Sequence, residues 1–337
     1  MLMDISVVIP TCNRKQRVMQ LLQHLQGSRH PMREVIIVDS GEDRLTANEL
    51  SVFGVMNIQY VKADKSVCIQ RNEGIRLAKG EWIFLCDDDI EVPADYLQKI
   101  AAHVQQHPEA GAVSGLVLQQ EKGEWKSAYD LYSAMALYWH YLFRLSIWGE
   151  IRCAENNFLV RSITSYYRRK GNHITKAGWP VITDFSGDYF TTPIYGLGAS
   201  VVRKSWLLQS PYEEVLDRHG IGDNYGVNIG FPVAGVQVLN NAFVYHHHAA
   251  ENRLQRPLQY YRRMLALDYF RRTRARQLSA SKGWLLWSLT GNMLSFMRVG
   301  DRRMVRASLK TIWQIAWGSN PYYKAAKANK KVVEPVL

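Results

Sequence analysis

Glu81-Trp82-Ile83-Phe84-Leu85-Cys86-Asp87-Asp88-Asp89 is an apolar run of strand length that stops on three consecutive carboxylates. A short continuous apolar run reads as a buried parallel strand. Open α/β sheets bind their ligands beyond the carboxyl ends of such strands. Three adjacent acids there repel one another unless something cationic sits among them, and a hard divalent ion suits oxygen ligands of this kind. A solvated acidic loop opening a helix would read the same way in isolation. The rest of the chain decides between the two.

Working outward, strand and helix patterns alternate. Ile5 to Ile9 reads as a buried strand ended by Pro10, and Val18, Leu21, Leu22 and Leu25 give Lys15 to Gly27 an amphipathic helical face. Glu34 to Asp39 is a second strand closing on an acid, and Asn57 to Val61 a third. Ser66 to Lys79 is helical, with Ser66 as N-cap and Gly80 at the stop. A helix beginning near Pro93 and a strand from Ala112 to Leu118 follow. Alternation at this period predicts a parallel sheet with helices on both faces, which places Asp39, Asp89 and the Pro10–Asn13 loop at one edge. No Gly-x-Gly-x-x-Gly follows the first strand and no Gly-rich Lys-Ser/Thr loop occurs. Dehydrogenase and ATPase readings are therefore disfavoured.

Four pieces in this order and spacing carry a resemblance: Ser6-Val-Val-Ile-Pro-Thr-Cys-Asn13, Val35-Ile-Ile-Val-Asp39, Arg71-Asn-Glu-Gly74 and Gly80 to Asp89. Together they resemble glycosyltransferase family 2, whose fold is GT-A: an α/β, Rossmann-like, mostly parallel sheet flanked by helices. The likeness is clear over about the first 120 residues and returns from Gly196 to His248. It implies an inverting, metal-dependent transferase that moves a sugar from a nucleoside-diphosphate donor, a UDP-sugar first, to a glycan or lipid-linked acceptor in cell-surface polysaccharide synthesis. By the same resemblance Asp39 would accept a hydrogen bond from the base, Pro10 and Thr11 would line the base pocket, and Arg71 would approach the donor. Asp87 and Asp88 would face ribose and sugar, while Asp89 and Asp87 would hold Mn²⁺ or Mg²⁺. These types suit the chemistry: the leaving diphosphate needs a Lewis acid, the anomeric centre becomes oxocarbenium-like, and the acceptor hydroxyl needs a base.

The second half is less legible. Tyr129 to Trp148 is aromatic but broken by Asp130, His140 and Arg144, so it reads either as helices packed over the sheet edge or as an acceptor lobe. Gly196 to Lys204 resembles the segment that crosses beneath the donor sugar. In the stretch Asp217 to Gly226 the family's acidic pair becomes Asp223-Asn224, and Asn cannot take a proton. Asp223 is the expected catalytic base, with Asp217 as the alternative and a structural N-cap as the plain reading of Asp223. Val236 to Tyr245 is a strand ending in His246-His247-His248. By resemblance His246 completes the metal site or hydrogen-bonds the diphosphate, and a purely structural role is the plain reading. Alternation puts His246 and His248 on one face and His247 on the other, against a three-His site.

The net charge of +12 is concentrated at one end. From Arg253 onward eighteen Lys/Arg face three acids, a balance of +15, leaving −3 for the first 252 residues. The expected organisation is a GT-A catalytic domain over 1–250 (a nucleotide-sugar half, 1–120, and an acceptor-side half, 121–250) followed by a basic amphipathic helical tail, 251–337. Lys282–Met297 and Arg302–Trp317 carry Trp, Leu and Lys/Arg in patterns that suit an anionic bilayer surface or packing on the body. The four cysteines are scattered and the amino terminus reads as a strand, so a cytoplasmic protein, peripheral on the inner face of the plasma membrane, is expected. Nucleic acid is not an expected partner, since no such motif occurs. A sugar nucleotidyltransferase and a non-catalytic glycan- or nucleotide-binding protein are the competing readings.

Overall fold

The computed structural model describes residues 3–155, 157–232, 234–247 and 254–337. His248, Glu251 and Arg253 lie outside the described residues. Strands β1 (Ile5–Thr11), β2 (Glu34–Asp39), β3 (Ile58–Lys62) and β4 (Trp82–Cys86) pair in parallel, with β1 between β2 and β4. The remaining strands are β5 (Ile90–Glu91), β6 (Ala112–Glu121), β7 (Glu124–Lys126), β8 (Ile147–Trp148), β9 (His173–Ile174), β10 (Pro180–Ile182), β11 (Tyr189–Thr191), β12 (Ala199–Arg203) and β13 (Val236–His246). The main sheet runs β11-β13-β6-β12-β4-β1-β2-β3, and β12 is antiparallel to both of its neighbours.

The helices are α1 (Lys15–Gln26), α2 (Ala47–Ser51), α3 (Val67–Leu77), α4 (Tyr96–Gln106), α5 (Ala134–Phe143), α6 (Phe158–Lys170), α7 (Lys204–Gln209), α8 (Asp223–Ile229), α9 (Arg256–Thr273), α10 (Lys282–Arg298), α11 (Arg302–Ala316) and α12 (Pro321–Lys327). Period-two alternation sorts the strand side chains. Ile5, Val7, Ile9, Val35 and Ile37 pack with Leu21 and Leu22 of α1 and Ile100 of α4. Val8, Ile36 and Val38 join the opposite cluster with Ile75 of α3. Gly74 of α3 sits so close to β1 that an added Cβ would lie 2.3 Å from Val8 Cγ1.

Two boundaries differ from expectation. Pro10 does not end β1, which continues to Thr11 paired with Asp39. The ladder to β4 stops at Val8, so a residue without an N–H is tolerated there. The helix expected near Pro93 starts at Tyr96, after a turn closed by Tyr96 N–H to Pro93 O (3.0 Å).

The middle segment builds its own small core, in which Leu137 of α5 and Val160 and Ile163 of α6 pack with Ile147 and Val181 of a three-stranded sheet, β8-β10-β9. The tail helices share the main core. Tyr261, Leu265 and Phe270 of α9 and Tyr322 of α12 are buried in the same cluster as Val8 and Val38. Of the two arrangements the sequence left open, the outer two helices turn several of their bulky apolar side chains outward. In α10 the polar Ser288 is buried, while Trp287 and Met297 are exposed. In α11 the buried stripe is Met304, Ala307, Ser308, Thr311 and Ile315, and Leu309 and Trp313 face outward. Small residues let α11 approach α9 closely. Ser308 and Thr311 satisfy their hydroxyls on the carbonyls of Met304 (2.9 Å) and Ala307 (2.8 Å), so burying them leaves no polar group unpaired. Among the described residues no helix is long and apolar enough to cross a membrane.

Candidate active site

The carboxyl ends of β1 and β4 open onto a cleft of about 250 Å³. Pro10, Thr11, Arg71, Asp87, Asp88, Asp89 and His246, far apart in sequence, all line it. An adjoining hollow of about 190 Å³ shares Cys12, Gln70, Arg218 and His219 and adds Ser40, Lys65 and Ser66. Asp39 is buried beside it rather than lining either space. Its carboxylate accepts Gly41 N–H (2.7 Å) and Tyr60 O–H (2.5 Å).

The three acids have different surroundings. Asp87 takes Arg71 Nη2 at 2.6 Å and lies under Gly198, where an added Cβ would fall 2.0 Å from Asp87 Oδ2. Asp88 is held by Thr11 Oγ1 and Arg14 Nη1, both donating at 2.7 Å. Burial nevertheless pushes its carboxyl up to about 6, with the neighbouring Asp89 charge adding to the effect and Arg14 and Thr11 opposing it. Asp89 Oδ1 lies 3.1 Å from His246 Nε2, and Arg14 is 3.6 Å from Asp89 Oδ2. His247 turns the other way, to Glu91 at 3.0 Å.

A carboxylate and an imidazole in contact at the rim of an acidic cluster fit Mn²⁺ or Mg²⁺ in type. Asp87, Asp89 and His246 do not gather into a tight three-ligand group, because Asp87 is drawn to Arg71. Among the described residues only Asp217, His219 and Glu334 bring three ligand atoms within 4.8 Å of one another. There the Arg262 guanidinium already supplies the positive charge.

Asp223 opens α8 and is nearly buried. Its Oδ2 is paired with Arg71 Nη1, and its Oδ1 accepts the Asn224 backbone N–H at 2.6 Å. Burial raises its carboxyl to about 6 against the pull of Arg71. Asp217 is fully buried, and its carboxylate is in contact with Tyr322 O–H (2.9 Å), Arg262 (3.3 Å) and His219.

Sequence reasoning missed Arg14, Gln70, Arg218 and His219. Gln70 Nε2 donates to Thr11 O and Val38 O, each at 2.6 Å, and so ties the ends of β1 and β2 to α3. Its position one residue before Arg71, on the first turns of α3, was the available signal. Arg218 and His219 reach the cleft through an irregular loop that no periodicity marks.

Residues 6–170 match the model of the family described as "Glycosyl transferase family 2". An "Uncharacterized glycosyltransferase" of Haemophilus influenzae is 30% identical over 105 residues, covering 31% of this chain and 35% of that protein. The chain therefore spans about a third of that relative's length. The crystal structure of S. aureus TarS 1–349 in complex with UDP-GlcNAc aligns with a TM-score of 0.52 at 12% identity, over 97% of this chain and 93% of that one. The mannosyltransferase PcManGT from Pyrobaculum calidifontis, in complex with GDP-Man and Mn²⁺, aligns at 0.50 and 12% identity, over 97% and 84%. These likenesses show the fold, a mostly parallel α/β sheet with a helical carboxyl-terminal region. The sequence match identifies residues 6–170 as a glycosyl transferase family 2 segment, and the structural likenesses show that the chain carries it on a fold of the GT-A type.

Proposed function

We propose that the protein transfers a sugar, with inversion, from a nucleoside-diphosphate donor, UDP-linked first, to a glycan or lipid-linked acceptor. The observation that carries this reading is the cleft at the sheet edge, where Thr11, Arg71 and Asp87 to Asp89 converge and Asp223 is reached through Arg71. In this reading the nucleoside lies toward Cys12, Ser40 and Lys65, with Asp39 behind it. Asp223 takes the acceptor proton, and Arg71 both orients it and offers charge to the diphosphate side. Asp89 and His246, with Asp87 on release from Arg71, would hold Mn²⁺ or Mg²⁺, which when bound supplies Lewis-acid stabilisation of the leaving diphosphate. A UDP-GlcNAc complex and a GDP-Man–Mn²⁺ complex among the structural relatives support this assignment. Retention of Asp223 in a raised-pKa environment favours catalysis over a non-catalytic binding role.

The outward face of the tail supports a place at an anionic bilayer surface. Trp313 and Trp317 are 58% and 72% exposed, and Arg302 and Arg306 stand on the same side of α11. Cytoplasmic residence against the inner leaflet follows from that reading.

Thermal shift tests the donor half without needing an acceptor. UDP with Mn²⁺ should raise the melting temperature, and Asp89→Asn or a chelator should remove most of the gain. Absence of any shift with nucleoside diphosphates or their sugars, under every divalent metal, sinks the reading.

A further inference from the structure

A second cavity, of about 270 Å³, lies on the Asp223 side of the molecule. Three separate parts of the chain wall it: Trp148 and Trp179 from the middle segment, Gly222 and Tyr225 at the start of α8, and Arg263 from α9. Gly222, in the cavity wall, immediately precedes Asp223, the residue read above as the base.

The polar atoms of the aromatic wall are spent elsewhere. Trp148 Nε1 donates to Ser127 O (3.0 Å), Trp179 Nε1 to Ser288 Oγ (2.5 Å) and Tyr225 Oη to Gly178 O (2.7 Å). These residues therefore present ring surface to the cavity. Arg263 is different. From Tyr261 to Phe270 every residue of α9 is buried except Arg263. Its neighbour Arg262 is committed to Asp217, Glu334 and the Pro335 carbonyl. Among the described residues the Arg263 guanidinium makes no hydrogen bond or ion pair, and Asp223 is the acid whose charge reaches it.

Ring faces recognise the flat C–H side of a sugar or polyol, and an uncommitted guanidinium recognises a phosphate or carboxylate, often by a two-pronged contact. We infer that this cavity is the acceptor site and that the acceptor carries an anionic group, phosphate or carboxylate, on or next to the unit to be glycosylated. The word acceptor rests on the donor-and-base reading above; the preference of the cavity for an anionic sugar does not.

The two parts fail separately in one calorimetric experiment. The wild-type protein is saturated with UDP and Mn²⁺ to fill the donor cleft, then titrated with glucose 6-phosphate, glucuronate, glycerol 3-phosphate and glucose. At least one charged sugar should bind tenfold or more tightly than glucose, a difference of about 1.4 kcal/mol. In Arg263→Gln that advantage should vanish, and Arg263→Lys should recover part of it. Both variants replace an exposed side chain, and melting curves confirm that they fold. Glycerol 3-phosphate binding like glucose 6-phosphate supports a polyol-phosphate source for the anion. Weaker glycerol 3-phosphate binding supports an anionic sugar ring. Equal affinity for glucose and its charged forms, no binding of any charged probe, or full binding by folded Arg263→Gln overturns the inference. Failure of UDP to bind counts against the donor reading alone, and the probes are then run without it.

Discussion

Arg71 and Asp223, 152 positions apart, form a buried ion pair, and the second terminal nitrogen of Arg71 holds Asp87. The proposed base and the acidic cluster are therefore joined by a single guanidinium. Asp223→Asn keeps the shape and the Arg71–Asp87 contact while removing the proton acceptor. Turnover should fall by roughly 10²–10⁴-fold with UDP affinity little changed. Near-wild-type turnover in this variant would exclude Asp223 as base.

The same environment sets a pH dependence. Burial lifts the Asp223 carboxyl to about 6, and a base works only when ionised. The rate should climb with pH through about 6 and level off above it, falling roughly tenfold per unit well below. A kcat/KM profile whose acid limb lies near 4 would show that this carboxyl titrates as an ordinary one.

Gly198 offers a test of close approach. A methyl group there would lie 2.0 Å from Asp87 Oδ2, so Gly198→Ala must displace the carboxylate or the strand start. Overpacking of this kind costs about 1–3 kcal/mol. Melting should drop by a few degrees and UDP–Mn²⁺ affinity by about tenfold or more. Unchanged affinity would show that Asp87 takes no part in donor binding.

Asp217, the alternative base on sequence grounds, should instead matter for stability. Burial opposes its charge, but hydrogen bonds from His219 and Tyr322 and the Arg262 charge hold its carboxyl below the usual range. A depressed carboxyl contributes stability above its unfolded pKa and loses it as the pH falls. Asp217→Asn leaves Arg262 with Glu334 as its one acidic partner among the described residues, beside the Pro335 carbonyl, and should cost about 3 kcal/mol or more. Denaturant unfolding measures this. A variant of native stability with no turnover would restore Asp217 as a catalytic candidate.

The outward apolar face of α11 is testable without touching the core. Leu309→Ser with Trp313→Ser should reduce flotation with anionic liposomes severalfold and leave melting unchanged, since both side chains are more than half exposed. Equal flotation of variant and wild type removes the membrane proposal.

Much of this architecture was readable from periodicity. The helix Lys15–Gln26 buries Val18, Leu21, Leu22 and Leu25, the four residues its spacing singles out, and Ser66 caps α3 by accepting Ile69 N–H. Motif order brought Thr11, Arg71, Asp87 to Asp89 and His246 to one edge, because strand ends converge by geometry. The orientation of α10 and α11 was not readable. Hydropathy ranks Leu309 and Trp313 above Ser308 and Thr311, yet hydroxyls that bond their own helix can be buried at little cost, and small side chains allow closer helix contact. Arg14 and Gln70 escaped for another reason: their roles lie in contacts to residues 74 and 59 positions away, which no local window contains.

The last residues of the chain run alongside the loop that carries Arg218 and His219. Val332 N–H reaches Glu214 O (2.8 Å), Val333 N–H reaches Val215 O (3.1 Å), and Glu334 accepts Arg218 N–H (2.9 Å). A shortened chain, the usual way to ask whether a basic tail anchors a protein, would here unfasten one wall of the cleft at the sheet edge along with α9. Loss of activity on truncation would then report a collapsed binding wall, and only point changes on the outer helix faces can separate attachment from catalysis.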